Sequence, residues 1–185
     1  NSDWRQLGAL LLPGIMGSRA TGIFVLTGYA EDLLAKAMPQ SPVPIRQISF
    51  PAPSPRELAV TGASPNVGSQ LHPEAVVVGA FGYVNESKLP HELVSAWAMT
   101  EGARQGHTVL VFVGSVEKKL RKKLLALCKS ARIEPVFTGW VSDEEYKAWL
   151  NRIDIAVQLR SSNRGEASAA VFDLLSAGKA VILTA

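Results

Sequence analysis

The polar string Arg160-Ser161-Ser162-Asn163-Arg164-Gly165, with Glu166, Ala167, Ser168 and Ala169 after it, has the residue types best suited to chemistry in this chain. It follows the β-prone run Ile155-Ala156-Val157-Gln158-Leu159 and precedes Val171, Leu174 and Leu175 at i, i+3 and i+4. It therefore reads as a loop between a strand and a helix. A helix start offers about half a positive charge and unpaired N–H groups, and Gly165 lets a guest approach the backbone, so a phosphate suits this place. Glu166 would repel a phosphate and turns more naturally toward hydroxyls. A ligand with both groups is implied, as in a nucleotide sugar. The same residue types equally allow Glu166 and Ser168 to serve only as helix caps. Lys88 is a second candidate: it follows a glycine loop, Gly82-Tyr83-Val84-Asn85-Glu86-Ser87, where a cation fits a phosphate, although a plain surface lysine would look the same.

Other reactive types carry less. Asp173 falls within an amphipathic stretch and could simply face solvent. Trp140 is of a type that more often packs than binds. His72, His91 and His107 stand apart with no metal-ligand spacing, and Cys128 fits an apolar stripe better than a nucleophile's place. Neither a nucleophile elbow nor a Walker loop occurs.

The elements that must position these residues alternate regularly. Strands are expected at 75–81, 109–113, 135–138, 155–159 and 180–183, the last as a buried strand. Helices are expected from about Ser87 (burying Leu89, Leu93, Ala96 and Trp97), over 118–132 (Leu120, Leu124, Leu127, Cys128, Ala131), from Ser142 (Tyr146, Trp149, Leu150) and after the polar loop, ending at Gly178. Ser142 with Glu145 forms a capping-box pattern. This order predicts an α/β fold, a Rossmann-like parallel sheet with helices on both faces and loops at the strand carboxyl ends. Upstream lies one further αβ unit: a strand at 23–27, a helix over 29–38 with Leu33, Leu34 and Ala37 on one face, and an extended run at 45–50. Between the two parts, prolines at 51, 53, 55, 65 and 73 read as a linker. The expected domains are 1–55, 56–73 as linker, and 74–185.

Composition bounds the partners. With 185 residues, 47% of them hydrophobic, the chain can bury a real core. A net charge of +3 without interleaved aromatics does not suggest nucleic acid. The basic cluster Lys118, Lys119, Arg121, Lys122 and Lys123 could make a peripheral membrane contact, but any surface helix shows such residues opposite its apolar stripe. The single cysteine points to a reducing compartment, and neither a spanning run nor a signal peptide is evident, so a cytoplasmic protein is expected. Without an initiator Met, and with the chain stopping as a strand finishes, a fragment of a longer polypeptide is expected.

Three pieces, VVVGAFGYVNESK, VFTGWVSDEEYKAWLNRIDIAV and RGEASAAVFDLLSAGKAVI, resemble in order and spacing the C-terminal, nucleotide-sugar-binding domain of retaining GT-B-fold glycosyltransferases of the family 4 type. The match covers about residues 75–185 and implies a GT-B C-terminal domain truncated at its C-terminus, preceded by the tail of an N-terminal acceptor domain. It further implies transfer of a sugar, with retention, from a nucleotide diphosphate donor to a carbohydrate or other hydroxyl acceptor, without metal or other cofactor. By the resemblance, Lys88 and Glu166 are catalytic, Lys88 neutralising the diphosphate and Glu166 contacting sugar hydroxyls. Gly82 and Tyr83 belong to the glycine loop. Gly165, Glu166, Ala167, Ser168 and Ala169 hold phosphate or sugar, Asp173 accepts from ribose hydroxyls, and backbone around Trp140 and Val141 reads the base.

The chain departs from the family in two places. Tyr83 stands where an Arg commonly partners the Lys. Six residues, not the usual seven, separate Glu166 from the second acidic residue, here the shorter Asp173. A non-catalytic nucleotide- or sugar-binding module on the same scaffold is the alternative that Tyr83 favours. A dinucleotide oxidoreductase is disfavoured, because GAFGYV lacks a third glycine and no acidic residue ends the second strand.

Overall fold

The computed structural model describes residues 19–59, 65, 74–131, 133–161 and 167–184. The chain divides into two compact units, Asn1–Pro51 with Asn163–Ala167 and Ala52–Ser162 with Ser168–Ala185.

In the first unit, Ile23–Val25 (β1) and Ile45–Gln47 (β2) pair in parallel and are joined through helix Gly28–Ala37 (α1). Thr27 starts that helix, its hydroxyl accepting from Ala30 N at 3.2 Å, a cap worth about 1 kcal/mol. Ile23 and Val25 are buried, whereas no α1 residue is. The face that Leu33, Leu34 and Ala37 share is thus not buried.

The second unit begins with Pro55–Leu58 (α2), inside the proline-rich stretch read as a linker. Ser54 N donates to Glu57 Oε2 at 2.7 Å in a capping box, and Leu58 is buried beside Trp149 and Leu150. An apolar residue after a good cap explains this helical turn. Residues 60–64 and 66–73 lie outside the described residues.

Five strands follow: Val76–Phe81 (β3), Thr108–Val113 (β4), Val136–Gly139 (β5), Ile155–Gln158 (β6) and Ala180–Leu183 (β7). All neighbours pair in parallel, in the order β5-β4-β3-β6-β7. Chain direction across the sheet therefore reverses at β3 and β6, where Val78 pairs with Ile155 and Gly79 with Ala156. In such sheets the crevice outside the carboxyl ends of these two strands is the habitual ligand place.

Both faces are covered, which is why the strands are apolar on both sides. Leu110 and Phe112 face one core with Leu93, Val94, Trp97, Leu120, Leu124 and Cys128. Val111 and Val113 face the other, with Trp149, Leu150, Ile153 and Leu174. The helices supplying these residues are Pro90–Ala98 (α3), a short Glu101–Arg104 (α4), Lys118–Ala131 (α5), Asp143–Arg152 (α6) and Ala169–Ser176 (α7). The α5 stripe is as predicted, and Lys118, Lys119, Arg121, Lys122 and Lys123 are exposed on its other side. Burial raises the Cys128 thiol to about 11, as befits a core residue.

Three expectations about faces fail. Ala96 is exposed, and Val94 takes the core place beside Leu93. Leu175 is 55% exposed, because α7 turns only Leu174 fully inward. The final strand is an edge rather than a buried strand, with Ile182 and Leu183 about half exposed.

Candidate functional site

The carboxyl end of β3 is built for close approach. Gly82 N donates to Val113 O at 2.9 Å and Val84 N to Ser115 O at 2.9 Å, carrying the pairing past the strand ends. A Cβ on Gly114 would come within 2.5 Å of Gly82 O, so only glycine fits there. Gly82 itself has φ +88 and brings the chain round to Asn85. The Asn85 carboxamide accepts from Ser87 N at 3.1 Å and Ser87 Oγ at 2.7 Å, and this starts a single 3-10 turn, Glu86–Lys88.

That turn is not the beginning of α3, contrary to a helix starting near Ser87. Leu89 precedes Pro90 and is thereby steered away from right-handed helical angles. It adopts φ 50 and ψ 46, a left-handed conformation that costs a non-glycine residue about 1–2 kcal/mol. The kink separates the turn from α3 and directs Lys88 back over β3. Glu86 anchors the turn to the neighbouring helices, through His91 Nε2 at 3.4 Å and Lys123 Nζ at 3.3 Å.

Lys88 Nζ donates to Phe81 O at 2.8 Å. Gln158 Nε2, from the last residue of β6, donates to the same oxygen at 3.4 Å. An ammonium group is thereby held at the mouth of the switch point. Lys88 is half-buried, and its pKa falls to about 8, first because burial penalises the charged form and second because the positive charge of Arg160 lies nearby. A small crevice lies beside it, lined in part by Val84, Lys88, Val157 and Leu159. A larger open depression, lined by Leu125, Cys128, Lys129 and Pro135, lies between the end of α5 and the start of β5, at the opposite edge of the sheet.

Tyr146 on α6 and Asp173 on α7 form the next link. Tyr146 Oη donates to Asp173 Oδ2 at 2.9 Å, and its ring meets that of Phe81 edge-on at 5.5 Å. Burial, then the Asp173 charge and the hydrogen bond to it, push the Tyr146 hydroxyl pKa up. Asp173 is half-buried, and a carboxylate has two oxygens, so it can accept from further donors besides Tyr146.

Solved structures with similar coordinates include Anabaena HepE in complex with UDP and glucose, at TM-score 0.76 and 14% identity over 95% of this chain and 47% of that one. WaaG, a glycosyltransferase involved in lipopolysaccharide biosynthesis, superposes at TM-score 0.68 and 15% identity over 88% of this chain and 44% of its own. The C-terminal domain of a group 1 glycosyl transferase, LpcC of Francisella tularensis, gives TM-score 0.55 and 20% identity over 71% of this chain and 69% of its own. The fold is that of the GT-B glycosyltransferases. The chain spans about half the length of HepE, 47%. No protein-family model and no curated protein sequence matches it.

On this GT-B scaffold the predicted residues fall as follows. Gly82, Tyr83 and Lys88 lie beyond β3, with Tyr83 57% exposed. Trp140 and Val141 follow β5, where Gly139 at φ 72 turns the chain and Thr138 Oγ1 accepts from Gly114 N at 3.1 Å. Trp140 is 81% exposed, so it is not a packing residue, while Val141 packs against the core. Ser168 is the N-cap of α7 and Ala169 its first residue, with Ala167 just before. Val171 N and Phe172 N bond back to Ser168 O at 3.0 and 3.2 Å, so helix geometry leaves the N–H groups of Ala169 and Ala170 pointing out of the helix end. Gly165 and Glu166 lie outside the described residues.

Sequence reasoning missed Gln158, Tyr146 as the partner of Asp173, and the neighbourhood of Arg160 and Lys88. Gln158 did leave a signal: it is the one polar residue in Ile155–Leu159, and it is 7% exposed. A polar group that deep needs a partner.

Proposed function

We propose that this chain carries the donor half of a glycosyltransferase site, binding a nucleotide diphosphate sugar whose sugar passes with retention to a hydroxyl acceptor. The observation that supports it most is the Lys88 ammonium, fastened to Phe81 O at 2.8 Å where the sheet reverses direction. In this reading Lys88 and the amides at Ala169 and Ala170 face the diphosphate, with Gly82 and Tyr83 forming the adjoining wall. Gly165, Glu166, Ala167 and Ser168 meet the sugar and its phosphate, Asp173 accepts from ribose hydroxyls, and the chain at Trp140 and Val141 borders the base. The complexes of HepE with UDP and glucose lend support by likeness of fold.

The chemistry asks little covalent work of the protein. As the glycosidic bond breaks, negative charge builds on the leaving diphosphate. A preorganised ammonium and helix-end amides stabilise that charge more than the ground state, each such donor contributing about 3 kcal/mol. Glu166, read as catalytic with Lys88, would hold the sugar through its hydroxyls.

Calorimetric titration with UDP, GDP and ADP tests this. Binding of one of them, weakened strongly by Lys88→Ala and by Asp173→Ala, is expected; no binding of any would remove the donor site. The second reading, a module that binds without transfer, is favoured by Tyr83 standing where the resemblance expects a cation. Hydrolysis of a donor sugar by the full-length protein would decide against it.

A further inference from the structure

Resting on the donor-site reading, one residue outside the resemblance stands in the same mouth. Beyond β6 the backbone continues tied on both sides: Arg160 N donates to Thr184 Oγ1 at 3.0 Å, and Ser161 N donates to Ser87 O at 2.8 Å. The second bond fastens the exit of β6 to the turn that carries Lys88. Gln158, the last residue of β6, points its amide at Phe81 O, the acceptor of Lys88, and Arg160, two residues beyond it, lies near enough for its charge to act on the Lys88 ammonium. The two strands whose ends meet here are β3, the middle strand of the five, and its neighbour β6.

We propose that Arg160 is the second phosphate-binding cation of this site, acting with Lys88 on the diphosphate in the role that Tyr83 cannot fill. The chemistry suits the pair. An ammonium group gives a point charge, whereas a guanidinium gives a planar fork that can take two oxygens of one phosphate. The charge of Arg160 disfavours the charged form of Lys88, second only to burial in lowering its pKa. A dianionic group seated between them turns the repulsion into attraction to a common guest. Moving the cation from the β3 loop to the β6 exit leaves position 83 free for a neutral aromatic, which is what the chain has there.

The test is calorimetry of the 185-residue chain with UDP, inorganic pyrophosphate and uridine, comparing the unaltered protein with Arg160→Gln, Arg160→Lys and the double variant Arg160→Gln with Tyr83→Arg. Loss of one charge-assisted contact should weaken UDP and pyrophosphate roughly tenfold or more in Arg160→Gln and leave uridine unchanged. Arg160→Lys should lose less, and Tyr83→Arg should restore part of the lost affinity, which a merely structural role for Arg160 would not predict. Thermal melting checks that each variant is folded. If the unaltered protein binds UDP and folded Arg160→Gln binds it equally well, the assignment of Arg160 is overturned while the donor site stands. If the unaltered protein binds neither UDP nor pyrophosphate, the donor-site reading falls, and this inference with it.

Discussion

Lys88 and Gln158, seventy residues apart in sequence, donate to one oxygen, Phe81 O, at 2.8 and 3.4 Å. The shared acceptor joins the ends of the neighbouring strands β3 and β6 and holds a titratable cation there. Replacing Lys88 therefore removes the positive charge around which the proposed site is built, whereas the strands keep their own ladder.

This arrangement makes nucleotide affinity depend on pH. Free Lys88 titrates at about 8, and a bound diphosphate raises that value because it favours the charged form. The complex thus holds a proton that the free protein loses as pH rises. Affinity for UDP should change little from pH 7 to 8 and then fall, approaching roughly tenfold per pH unit. Calorimetry across pH 7–10 checks it, and Lys88→Arg should abolish the fall.

Gly82→Ala should damage both the site and the fold. Position 82 has φ +88, and an added Cβ would lie 3.0 Å from Lys88 Nζ. The backbone strain should cost about 1–2 kcal/mol, read by urea denaturation. Displacing the ammonium should also weaken UDP binding in the fraction that folds.

Tyr146→Phe removes the donor to Asp173 Oδ2 at 2.9 Å. A hydrogen bond to a charged group is worth about 1.5–3 kcal/mol, and stability should drop by about that much. Asp173→Asn should act differently, narrowing the preference for UDP over its 2′,3′-dideoxy analogue, because the analogue lacks the hydroxyls the carboxylate would accept from.

Asp154→Ala is the counterpart at the opposite edge of the sheet. Asp154 Oδ2 accepts from Val77 N at 2.7 Å and lies 3.4 Å from Arg152 Nη1. Its removal should destabilise the protein by about 1–3 kcal/mol and leave UDP affinity unchanged.

That contrast shows what could be read from sequence. The Asp that leads β6 and the Gly178-Lys179 exit of α7 both contributed to the family resemblance. Each sits at the amino edge, Asp154 on Val77 N and Lys179 Nζ on Asn151 O at 2.8 Å. They mark the architecture, not the ligand edge. Alternation and apolar runs located the sheet well because both faces are covered, as Leu110 and Val111 illustrate by pointing into different cores. Periodicity gives the direction of a helix stripe but not its width, so it puts Ala96 and Leu175 on the inward side although both are exposed. Lys88 was legible from its glycine loop. Its surroundings were not, because Gln158 meets the same acceptor and Ser161 the same turn only through strand order, which local sequence does not encode.

The most direct measurement is amide chemical-shift mapping of the 15N-labelled chain during titration with UDP. The account predicts the largest shifts at Gly82, Ser87, Lys88, Ser161, Ala169 and Ala170, around the carboxyl ends of β3 and β6. Shifts gathered instead around Asp154 and Lys179, or no shifts at saturating UDP, GDP and ADP, would contradict it.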